Sequence, residues 1–68
     1  MSTQQSDVDW KPQNLDHVRM TTLAGFVVVG IVSEITDTKI TVCEIVGDQR
    51  NYYDGGLTGR YAVKVERL

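Results

Sequence analysis

His17 is the only histidine of the chain, and it follows Asp16. An Asp–His pair can hold an imidazole for proton transfer when the two side chains meet, but neighbours along a strand point to opposite faces. His17 is therefore expected at a surface or an edge, outside any relay. Cys43, the only cysteine, stands between Val42 and Glu44 in an alternating stretch. A nucleophilic thiol wants an exposed, electropositive setting, so a buried or half-buried role in side-chain packing is expected for it. Asp37, Glu44, Asp48 and Asp54 lack the Asp-x-Asp-x-Asp-Gly spacing of a calcium loop. One cysteine and one histidine cannot supply a Cys/His zinc site. These residue types thus point to no catalytic centre, no metal and no cofactor, and the chain is expected not to be an enzyme. The run Asp54-Gly55-Gly56-Leu57-Thr58-Gly59-Arg60 has neither Gly-Lys-Ser/Thr nor a following helical pattern, so it is not a nucleotide phosphate loop. It reads either as a tight connection between strands, or as a loop whose N–H groups and Arg60 face a phosphate or a base.

The chain that must position these residues has 68 residues, enough for one small domain. A core of that size is marginal alone, and a single cysteine excludes disulfide support. Oligomerisation is the remaining device. The net charge of −2, from 7 basic and 9 acidic residues, argues against a broad basic face that coats duplex DNA. Charge is unevenly spread. Residues 1–16 hold Asp7, Asp9 and Asp16 against Lys11, whereas from Arg50 onward Arg50, Arg60, Lys64 and Arg67 face only Asp54 and Glu66. Attraction for nucleic acid must therefore be local. The longest unbroken apolar run, Phe26–Val29, is far short of a membrane-spanning helix. The unpaired cysteine and the lack of a signal-peptide pattern lead to the expectation of a reducing, cytoplasmic setting.

Residues 1–10 read as a polar tail, disordered or loosely docked over residues 1–6, with Trp10 as an anchor on a domain edge. Residues 11–68 read as one domain. Lys11–His17 have the makings of one or two helical turns, with Asp9 as cap and Pro12 near the start. From Val18 the pattern is strand. Val18 and Met20 alternate with Arg19 and Thr21, and Gly25 marks a turn. Phe26–Val32 is apolar at both alternations, so cover on both faces is expected, and Gly30 inside it predicts a bend or a close backbone approach. Thr36-Asp37-Thr38 is a turn. Lys39–Val46 is a strand with Ile40 and Val42 on one face and Thr41 and Cys43 on the other. Gly47-Asp48 turns into a short edge strand, Gln49–Tyr53. Asp54-Gly55-Gly56 reads as a hairpin or loop. Tyr61–Leu68 closes the chain, with Tyr61, Val63 and Val65 on one face. Val28, Val32, Ile40, Val42, Val63 and Val65 are the expected core. About five short strands with turns every 8–12 residues predict an all-β fold, a small, strongly bent SH3-like barrel after a helical or irregular lead-in.

The closing stretch Leu57-Thr58-Gly59-Arg60-Tyr61-Ala62-Val63-Lys64-Val65-Glu66-Arg67-Leu68 resembles the second motif of the Sm-like (LSm/Hfq) family. There an apolar residue, any residue and Gly lead into a strand that ends apolar-x-apolar-Glu-x-Leu. Upstream, Leu23-Ala24-Gly25, Gly30, Ile31-Val32, Asp37 and Ile40-Thr41-Val42 are similar to the first motif. The resemblance covers roughly residues 12–68. Where the family carries a base-contacting Asn this chain has Lys39, and where it carries an Arg before the second motif's Gly this chain has Thr58, with Arg60 just after.

The resemblance implies a five-stranded Sm-like barrel whose fourth strand pairs with the fifth strand of the next copy. The product would be a homo-oligomeric ring of about five to seven subunits. It also implies single-stranded RNA as the partner, held by Thr38 and Lys39 on one loop and by Thr58, Gly59 and Arg60 on another. Head-to-tail closure would cover the strand edges that a small sheet otherwise leaves open. The alternative is a non-catalytic SH3-like module for protein interaction or structural assembly, with Trp10, Tyr52, Tyr53 and Tyr61 as contact aromatics.

Overall fold

Alternation of branched apolar and polar residues gives five strands, and the computed structural model, which describes residues 10–68, arranges them in one antiparallel sheet. They are β1 (His17–Thr21), β2 (Val27–Ile35), β3 (Lys39–Val46), β4 (Gln49–Gly56) and β5 (Lys64–Arg67). The order across the sheet is β4-β3-β2-β1-β5, so β4 and β5 are the edges. No helix forms among the described residues, and hence none long and apolar enough to cross a membrane.

The lead-in is irregular rather than helical. The Asp16 carboxylate accepts from the Gln13 amide at 2.9 Å, and the Asp16 amide donates to the Gln13 carbonyl at 3.1 Å. Leu15 takes a φ of 76° between them. This tight turn competes successfully with a helical turn at residues 11–17, as short polar side chains do when they bond nearby backbone. The expected Asp9 cap and the tail of residues 1–9 lie outside the described residues. Trp10 does pack against the core, and the Arg67 guanidinium sits 5.4 Å from its ring centroid.

One face of the sheet makes the core. Val18 and Met20 of β1, Val28 and Val32 of β2, and Ile40 and Val42 of β3 are buried there. Trp10, Ile35, Leu57, Val63 and Val65 are half-buried around them. Val63 and Val65 are thus less covered than expected, because they belong to the edge segment, while Val18 and Met20 are core residues outside the expected set. The second expectation corrected is cover on both faces of β2. Its outer residues Val27 and Val29 are 55% and 43% exposed, because no layer of this chain crosses that side among the described residues.

Gly30 behaves as expected. A Cβ there would overlap the Cys43 carbonyl, so the β2 and β3 backbones approach more closely than any side chain allows. The ladder then shifts register between Val32 and Glu34.

Several strand bounds differ from the sequence expectation: β1 starts at His17, β2 runs from Val27 on to Ile35, and β4 and β5 differ most. Asp54-Gly55-Gly56 is not a turn but the end of β4, paired with Thr41, Ile40 and Lys39. The Thr41 hydroxyl donates to the Asp54 carboxylate at 2.7 Å, which ties this Gly-rich end into the sheet. Tyr61 and Ala62 precede β5 instead of opening it, and Tyr61 is exposed.

Candidate functional site

Two connections meet at one end of the sheet. In the β2–β3 turn, the Thr36 hydroxyl accepts from the amides of Thr38 at 3.3 Å and Lys39 at 3.1 Å, and the Thr36 amide donates to the Lys39 carbonyl at 2.8 Å. This fixes a tight loop with Asp37 and Thr38 at its tip. In the β4–β5 connection, Gly59 takes a φ of 86°, a conformation that favours glycine, and its carbonyl accepts from Ala62 at 3.3 Å.

The Leu57 amide donates to the Thr38 carbonyl at 2.9 Å, joining the two connections through main chain. Thr38 and Lys39 therefore share an end of the molecule with Thr58, Gly59 and Arg60. All five are exposed, and neither Lys39 nor Arg60 makes an ion pair with a described residue.

Beside this pair of loops lies a cleft of about 530 Å³ lined by Lys11, Pro12, Ile35, Thr36, Asp37 and Leu57. The sequence reading does not mark Lys11 and Pro12 as site residues. The available signal is that Lys11 is the one cation before Arg19. Lys11, Lys39 and Arg60 can meet phosphates, the Thr38 and Thr58 hydroxyls can bond base edges, and Ile35, Pro12 and Leu57 give an apolar surface for a base. Asp37 offers an acceptor for an exocyclic amine and a repulsion for phosphate.

The edges of the sheet form the second functional feature. The Leu57–Thr38 bond sets the phase of the β3–β4 ladder, so Ile40↔Gly55, Val42↔Tyr53 and Glu44↔Asn51 are the bonded pairs. Arg50, Tyr52 and Asp54 consequently turn their main-chain N–H and C=O groups away from β3. Next along β4, the Gly56 carbonyl accepts from Val63 at 2.9 Å, a single bond that ties the end of β4 to the segment before β5.

Chemistry elsewhere is sparse. His17 is exposed and Cys43 buried, which agrees with surface and packing roles. No group of three His, Cys, Asp or Glu side chains comes together to hold a metal among the described residues. On β5, a hydrogen bond from Arg19 at 3.1 Å, with the Arg19 and Lys64 charges, holds the Glu66 carboxyl below its ordinary range. The four aromatics named as a contact set do not form one surface. Tyr52 and Tyr53 both line one groove beside β4, whereas Trp10 lies against β5 and Tyr61 stands in the β4–β5 connection.

Comparison with known protein families, with curated proteins and with solved structures finds no match for this chain.

Proposed function

We propose that this chain is an Sm-like barrel whose copies close head to tail into a ring that binds single-stranded RNA at the loop end. The observation that carries the reading is the Leu57–Thr38 main-chain bond, which gathers Lys39, Arg60 and two threonine hydroxyls from separate connections of the chain. The sheet order supports it too, since β4 and β5 are the edges such a ring joins. A ring repeats Lys11, Lys39 and Arg60 once per subunit. Weak contacts by one copy then multiply along a strand of RNA, despite a net charge of −2 per chain. Unstacked bases can reach threonine hydroxyls and apolar side chains in a way that a duplex cannot.

The test is titration of uridine-rich and adenine-rich oligonucleotides at two salt concentrations, with wild-type protein and Lys39→Ala. Binding that weakens with salt, and weakens again in the variant at low salt, supports the reading. No binding to either oligonucleotide at low salt overturns it.

A second reading, a protein-interaction module, is favoured by the exposed apolar row Val27, Val29 and Ile31 beside Ile45 on the outer face. It replaces the first if the protein is a monomer that binds neither oligonucleotide.

A further inference from the structure

Along the open edge of β4 runs a groove of about 480 Å³. Its floor and walls include Met20, Phe26, Val28 and Tyr53, and Glu44 lies within it. Glu44 accepts from Asn51 at 3.5 Å and from the Tyr53 hydroxyl at 3.4 Å, but no cation among the described residues pairs with it. The groove is therefore aromatic, apolar and anionic, and it opens onto the strand whose main-chain groups at Arg50, Tyr52 and Asp54 face outward.

We infer that this groove receives β5 of a second copy, with Lys64 of that copy set against Glu44. The inference rests on the ring reading above and adds to it which face of β5 turns inward. It follows from the phase of two ladders. The Leu68 amide donates to the His17 carbonyl at 3.1 Å, so Glu66 and Lys64 bond toward β1, and Val65 turns its main-chain groups away. Strands joined antiparallel, like all four existing pairs of this sheet, match outward-turned residues with outward-turned residues, and matched residues share a face. On β4 the outward-turned residues lie on the outer face, with Tyr52 opposite Cys43. On β5 Val65 lies on the core face. The junction therefore exchanges faces. Lys64 and Glu66, on the outer face of β5, thus come to the same side as Asn51 and Tyr53 of β4, and Tyr53 lines the groove together with Tyr52 and Asp54.

Of these two, Glu66 is already held by Arg19 at 3.1 Å, whereas Lys64 is held only at 3.8 Å and its side chain is 73% exposed. Its ammonium complements the Glu44 carboxylate, and its methylene stem can lie on the Tyr53 ring. The same arrangement covers the β4 edge and part of the exposed Phe26.

The experiment is sedimentation velocity on wild type, Glu44→Lys, Lys64→Glu, and an equimolar mixture of the two variants, with folding checked by circular dichroism. Each single variant sets like charges together and is expected to raise the concentration needed for assembly by about tenfold or more. In the mixture, every junction between unlike variants again brings a lysine and a glutamate together. The mixture is therefore expected to assemble at a clearly lower concentration than either variant alone. If wild type assembles and Lys64→Glu assembles equally well, the groove does not receive Lys64 and the inference falls while the ring stands. A mixture that assembles no better than the single variants overturns it as well. If wild type itself is a monomer, the ring reading fails and this inference with it. Lys64 is exposed, so Lys64→Glu decides the matter even where Glu44→Lys fails to fold.

Discussion

A Cβ placed on Gly55 would lie 2.8 Å from both terminal methyl carbons of Val63 and 2.9 Å from the Met20 sulfur. Val63 occupies the space that a side chain at position 55 would need. This contact, with the Val63–Gly56 bond beside it, holds the end of β4 against the segment that precedes β5. Gly55→Ala should therefore destabilise the fold by about 1–3 kcal/mol through overpacking. Val63→Ala should cost about 1–3 kcal/mol through reduced burial. The double variant should cost clearly less than the sum, because the alanine methyl at 55 fills what Val63 vacates. Urea denaturation of the three variants checks this, and strict additivity would show that the two residues do not touch.

Gly30 gives a harder limit. Its Cβ would meet main chain, the Cys43 carbonyl, which cannot swing aside as a side chain can. Gly30→Ala should separate β2 from β3 locally and cost more stability than Gly55→Ala. Thermal melts of the two variants side by side decide it. A Gly30→Ala melting curve equal to wild type would mean that the strands do not approach so closely.

How much of this is legible in the sequence depends on which force sets each element. The bounds of Lys39–Val46 are readable to the residue, because β3 is paired on both sides and lies between two turn signals, Thr36-Asp37-Thr38 and Gly47-Asp48. Asp54-Gly55-Gly56 looks like a turn, since glycine inside a strand records a close approach only when the approaching residue, here Val63, is known. Val27 and Val29 announce burial that the single chain does not provide. At the candidate site, the five loop residues are marked by turn chemistry and the family resemblance. Lys11 and Pro12 escape because the fold of the lead-in, turned by Asp16, leaves no periodic mark.

Glu66 makes stability depend on pH in one direction. Its folded-state pKa is depressed, by the Arg19 hydrogen bond first and the Arg19 and Lys64 charges after it. The stabilisation is present above the unfolded-state pKa and is lost as pH falls through the folded-state value, below the usual carboxylate range. Glu66→Gln should remove this dependence and flatten the acid side of the stability curve. Denaturation midpoints from neutral pH downward test it. Parallel curves for wild type and variant would show that the Arg19–Glu66 contact adds nothing to the folded state.

Arg60 is exposed, and it stands in a connection that meets the Thr38 loop. Arg60→Ala should weaken RNA binding. It should also lower the slope of log affinity against log salt by about 0.7 for each phosphate that Arg60 neutralises, since fewer counterions are then released from the single strand. Assembly should be unchanged, because an exposed loop charge contributes little to strand pairing. Filter binding over a salt series reads the first effect and sedimentation the second. An unchanged salt slope would place Arg60 outside the RNA path.

The central claim, a ring that holds single-stranded RNA at its loop end, is tested most directly by native mass spectrometry of the protein mixed with a uridine-rich or adenine-rich oligonucleotide at low salt. The expected result is one closed assembly of about five to seven chains, with one oligonucleotide bound per assembly and its signal diminished in Arg60→Ala. A stable monomer at micromolar concentration, with no oligonucleotide mass added, would contradict both the ring and its ligand.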